Sequence, residues 1–62
     1  MTGWEYMDIL IQRAAISPKQ CDDLYYEIEQ HLAGDLKYDH MCVDAQRIVC
    51  EWEAYMEAID KN

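Results

Sequence analysis

Apolar residues recur every three or four positions along most of the chain, which is the period of a helix and not of a strand. Trp4, Met7, Leu10, Ile11 and Ala14 form the first stripe. Thr2 and Glu5 have the spacing of a capping box, in which each side chain satisfies a backbone N–H at a helix start. A first helix is therefore predicted over about 3–16. Ser17-Pro18-Lys19-Gln20 ends it and starts the next. Serine suits an N-cap, proline suits the first helical position, and Gln20 completes a second capping box. Cys21, Leu24, Tyr25, Ile28 and Leu32 then share one face, and Gly34 is placed to take a left-handed C-cap, giving a second helix over about 18–33.

The segment Asp35-Leu36-Lys37-Tyr38 reads as a connector, and Asp39 is a candidate cap for a third helix. From there Met41, Ala45, Ile48, Trp52, Tyr55 and Ile59 alternate four and three apart, with Val49 and Met56 widening the stripe. That helix is predicted over about 40–60, its core face centred on Met41, Ile48 and Trp52. Three amphipathic helices with short connections predict an all-α three-helix bundle, a single domain over residues 1–62.

Composition agrees with a folded chain: 52% of residues are hydrophobic, with two Trp and five Tyr against two Gly and one Pro. A disordered acidic tail would be poor in aromatic residues. The longest apolar runs, such as Ile9-Leu10-Ile11, are far short of the roughly 20 residues a membrane span needs. With no basic and apolar start of the secretory kind, the expected setting is cytoplasmic, the host cytosol if the protein is phage-encoded. Three cysteines, Cys21, Cys42 and Cys50, cannot all pair within the chain, so they are expected to be reduced, buried thiols.

Charge changes the picture most. Thirteen Asp and Glu against five Lys and Arg give a net charge of −8. The excess grows along the chain, from −1 over residues 1–16 to −3 over 17–34 and −4 over 35–62. Such a surface repels nucleic acid and anionic membranes and attracts basic surfaces.

The chemistry that acidic helical proteins commonly carry is absent. A calcium loop opening at Asp35 would need Gly at its sixth position and Glu at its twelfth, where the chain has His40 and Gln46. An acyl carrier needs a modifiable serine in an Asp-Ser-Leu setting, and the lone serine stands in Ile16-Ser17-Pro18. His40 and Cys42, with His31 and Cys50, lack metal-ligand spacing, since helical residues two apart point about 200° from each other. No orienting group or Gly loop accompanies a Cys-His nucleophile. Adjacent carboxylates such as Asp22-Asp23 suit a helix start, where they oppose the positive dipole end. The expectation is a binding protein that is not an enzyme and carries no metal or cofactor.

Projected on helical wheels, Glu53, Glu57 and Asp60 gather on one flank of the third helix, and Asp44 and Glu51 on the other. On the second helix Asp22, Asp23, Glu27 and Glu29 surround Tyr26, while Arg47 and Lys61 interrupt the acidic surface. Carboxylates four apart rise about 6 Å along a helix, against about 3.4 Å along the duplex axis, and more through space, for phosphates on one DNA strand. By size, charge, helicity and the rows Asp22-Asp23-Glu27 and Glu53-Glu57-Asp60, the chain resembles the small acidic DNA mimics of phages and mobile elements, most of all anti-CRISPR proteins. These share no motif, so no residue role carries over from a signature.

The resemblance implies an inhibitor that occupies a Lys/Arg-lined groove of a nucleic-acid-binding protein, such as a CRISPR effector, without itself binding nucleic acid. Five basic residues depart from the most extreme mimics and favour partial occlusion over imitation of a full duplex. The rival expectation is a helical adaptor docking through an apolar patch, with its charge serving solubility. Ile9 and Ile16 point away from the first stripe, and Val43 and Cys50 lie on the outer side of the third. With Tyr26 they are candidate contacts for a partner or for a second copy, in a chain expected to be a monomer or weak homodimer.

Overall fold

The computed structural model describes residues 3–61, with side chains through residue 60. Three α-helices follow one another: α1 (Gly3–Ala14), α2 (Pro18–Leu32) and α3 (Val43–Lys61), with a 3-10 turn at Tyr38–His40 before the last. No strand occurs among the described residues. The chain is an all-α three-helix bundle, as its periodicity predicts.

The junction between α1 and α2 follows from its four residues. Ser17 is extended (φ −155°, ψ 158°) and its hydroxyl accepts the Gln20 N–H at 3.2 Å. The return half of the box is shifted by one residue: Gln20 Oε1 accepts the N–H of Ile16, at 2.7 Å. That bond holds Ile16 outside α1, which therefore stops at Ala14. The Thr2 half of the first capping box lies outside the described residues.

At the far end of α2, Gly34 takes φ +89°. Its N–H reaches the carbonyl of His31 at 3.0 Å, and the Asp35 N–H reaches that of Gln30 at 2.9 Å. The pair forms a Schellman motif, which satisfies carbonyls that the helix end leaves without donors.

Asp39 does not cap the third helix. It lies inside the 3-10 turn, and α3 begins three residues beyond the predicted start. The cap is Cys42, whose carbonyl accepts the first intrahelical bond from Gln46 N–H at 3.0 Å. Met41 is extended (ψ 154°) yet buried, so the apolar spacing runs unbroken across a break in the helix.

α1 and α3 run antiparallel. Trp52 Nε1–H donates to the Gly3 carbonyl at 2.8 Å, and the rings of Tyr6 and Tyr55 stack 4.1 Å apart. At the other end Leu10 and Ala14 face Asp44 and Ile48 across a groove. The short link at Ala15–Ser17 turns α2 back along α1, where the Tyr25 hydroxyl donates to Asp8 at 2.8 Å. Met7, Leu10, Ile11, Leu24, Ile28, Met41, Ala45, Ile48 and Val49 make the core. Each large member contributes about 1.5–3 kcal/mol by leaving water.

Three residues of the predicted stripes are exposed: Trp4, Leu32 and Ile59, at 48%, 40% and 43%. Each is the terminal apolar position of its helix, at the end of the bundle where α1 starts and α2 and α3 finish. The stripe has the right phase there, but no further turn of helix lies above it. Trp52, Tyr55 and Met56 are accordingly only half buried.

Candidate partner-binding surface

The thirteen carboxylates divide into two sets. Asp8, Glu27 and Asp44 are half buried, and each accepts one hydrogen bond that ties elements together. Asp8 accepts the Tyr25 hydroxyl, Asp44 accepts Gln20 Nε2–H at 3.0 Å, and Glu27 accepts the Cys42 N–H at 3.0 Å. These three are struts of the fold. The remaining ten, Glu5, Asp22, Asp23, Glu29, Asp35, Asp39, Glu51, Glu53, Glu57 and Asp60, are exposed.

Two rows survive as acidic surface. On α2, Asp22, Asp23 and Glu29 surround Tyr26, which is 64% exposed, while Glu27 turns inward to cap α3. On α3, Glu53, Glu57 and Asp60 stay on one exposed flank. The 3-10 turn lies against the first turns of that flank, with the Tyr38 hydroxyl 3.1 Å from Cys50 Sγ and Gln46 Nε2–H donating to the Tyr38 carbonyl at 2.8 Å. The Cys50 hydrogen bond, then desolvation, then the charges of Cys50, Glu53 and Asp39 hold the Tyr38 hydroxyl above its ordinary pKa. Glu53 of α3 and Asp39 of the 3-10 turn thus act on the same group.

The opposite flank differs. Asp44 and Glu51 line a groove of about 200 Å³ between α1 and α3, floored by Leu10, Ala14 and Ile48, and the same groove is lined by Arg13 and Arg47. Two carboxylates facing the chain's two arginines make a mixed-charge cleft, not a phosphate-like row. Sequence reasoning missed Arg13, since its meeting with Arg47 joins two helices and leaves no local signal.

Ile9, Ile16, Val43 and Cys50 are exposed as the helical wheels indicate, Ile16 at 90%. The thiols depart from expectation. Cys21 is half buried, but Cys42 and Cys50 are exposed, because one sits at a helix start and the other on the outer side of α3. Desolvation first, opposed by the Ala45 N–H and aided by Glu27, raises the Cys42 thiol above its ordinary pKa. No group of three or more potential metal ligands occurs among the described residues. No described helix is long and apolar enough to cross a membrane. No family model, curated protein or solved structure matches the chain.

Proposed function

We propose that this protein inhibits a nucleic-acid-binding complex by occupying its Lys/Arg-lined groove in place of DNA, in the manner of an anti-CRISPR protein acting on a CRISPR effector. The observation that carries the reading is the segregation of charge on α3. Glu53, Glu57 and Asp60 keep one exposed flank acidic, while the chain's two arginines gather in the cleft on the other. A charge serving solubility alone works equally well when the signs are interspersed. Asp22, Asp23 and Glu29 around Tyr26 extend the acidic surface onto α2.

The test is inhibition of duplex binding by a panel of purified CRISPR effector complexes. At least one should be inhibited competitively with DNA, with affinity falling steeply as salt rises. The joint change of Glu53, Glu57 and Asp60 to Lys should abolish that inhibition. Inhibition that more DNA cannot relieve, or that survives those reversals, would refute the mimicry.

A second reading is a helical adaptor or regulator that docks through an apolar patch. It is favoured by the exposure of Trp4, Leu32 and Ile59 at one end of the bundle. Such binding should be nearly indifferent to salt.

A further inference from the structure

We propose that the end of the bundle where α1 starts and α3 finishes docks an amphipathic basic surface, an apolar strip flanked by Lys or Arg, of the kind a cationic amphipathic helix presents. The proposal rests on the groove-occupation reading and sharpens its partner: the groove must carry an apolar strip beside its cations.

The geometry begins at Gly3. A Cβ there would lie 3.1 Å from Met56 Sδ and 3.6 Å from the Trp52 ring, so the two helices approach closely at this point. The Trp52 Nε1–H bond to the Gly3 carbonyl fixes that approach. Trp4 follows Gly3 in the first turn of α1 and is 48% exposed, Ile59 follows one turn beyond Met56 and is 43% exposed, and the Tyr6–Tyr55 stack lies along the same helix pair. This end of the bundle thus carries both tryptophans of the chain and a methionine, with Trp52 and Met56 half buried and Trp4 and Ile59 exposed. Trp and Tyr dominate binding hot spots, and Met adapts its shape to an apolar partner.

The rim decides the occupant. Glu53 and Asp60 stand exposed on the adjoining flank of α3, and Glu5 is exposed one residue from Trp4. A second copy would bring the same rim and a charge of −8 against it, and like charges so juxtaposed oppose docking. Nucleic acid fails for the same reason. A uniformly basic surface would satisfy the rim and leave the apolar end in water. A helix with apolar residues at i, i+3, i+4 and i+7 and cations on both flanks satisfies both parts.

Both tryptophans lie in the proposed contact, so their fluorescence reports it directly. The probe is an ~18-residue peptide of Leu and Lys patterned as an amphipathic helix, compared with the same peptide carrying Ser for Leu. In about 150 mM salt, the Leu/Lys peptide should bind one to one with a blue shift, and the Ser/Lys peptide at least about tenfold more weakly. Calorimetric affinity should fall by a similar factor in Trp4→Ser and Ile59→Ser, whose circular dichroism should match the parent because neither side chain belongs to the buried core. Glu53→Lys with Asp60→Lys should weaken binding further at low salt than at high.

Equal binding of the two peptides, or full affinity in Trp4→Ser and Ile59→Ser, would overturn the proposal and leave the groove-occupation reading standing. Affinity untouched by the two lysine substitutions would overturn it together with that reading. A dimer in sedimentation that Ile59→Ser dissolves would assign the patch to a second copy instead.

Discussion

Gly34 shows how one residue sets the chain's course. At φ +89° it occupies the left-handed region, and a Cβ built there meets nothing within 4 Å. Any loss on substitution must therefore come from backbone conformation and not from crowding. Gly34→Ala should destabilise by about 1–2 kcal/mol in a denaturant titration, with Gly34→Asn losing less, because asparagine tolerates that conformation better. Tyr25 makes a second residue-level case. Desolvation first, and the bond to Asp8 second, raise its pKa above the ordinary 10.0. The folded state then holds this proton more tightly than the unfolded chain does. The resulting stability is complete below the ordinary value and is lost as pH rises through the folded one. The melting temperature should decline above about pH 10, and Tyr25→Phe should flatten the decline. That substitution should also remove about 1 kcal/mol at neutral pH by breaking the bond to Asp8. An alkaline limb identical in both proteins would refute this assignment.

At the scale of elements, α1 and α2 are legible because pattern, capping residues and turn chemistry agree on them. The start of α3 is not. Met41, Ala45 and Ile48 keep a helical spacing, so Met41 reads as helical, yet it reaches the core from extended backbone. Asp39 looks like a better cap than Cys42, but the 3-10 turn has already taken it. The actual cap depends on Glu27, fifteen residues upstream, which accepts the Cys42 N–H. No local rule sees such a partner. The candidate surface divides the same way. Helical wheels place Glu53, Glu57 and Asp60 outside, but cannot see that Asp44 and Glu27 are held by Gln20 and Cys42, or that Arg13 reaches the Asp44–Glu51 flank. Cys42→Ser supplies a better acceptor at the start of a long helix and should stabilise the protein by a few tenths to about 1 kcal/mol. Glu27→Ala should lose about 1 kcal/mol by freeing the Cys42 N–H, and Glu27→Gln, which keeps an acceptor oxygen, less. Unchanged denaturation midpoints in both Cys42→Ser and Glu27→Ala would show that the cap contributes nothing.

For the whole molecule, the proposed function sets charge against stability. Ten exposed carboxylates crowd a body only 36 × 23 × 16 Å in extent, and the net charge of −8 repels itself in the compact state. Added salt should therefore raise the melting temperature while it weakens binding to a basic partner, two opposite responses from one surface. Charge reversal separates them by position. Glu53 and Asp60 are exposed, so changing both to Lys moves the net charge from −8 to −4 without touching the core. The variant should melt higher than the parent at low ionic strength, with the gap closing as salt is added. It should also lose affinity for a basic partner of the proposed kind. Reversal of Asp44 and Glu51 changes the net charge equally but breaks the bond to Gln20 and sets four cations around one groove with Arg13 and Arg47. That variant should melt lower than the parent. The contrast isolates geometry from net charge, since a solubility role makes no distinction between the flanks. Thermal melts of the two variants at low and high salt decide it: if both shift in the same direction by the same amount, the division of α3 into an acidic flank and a mixed-charge cleft has no energetic meaning.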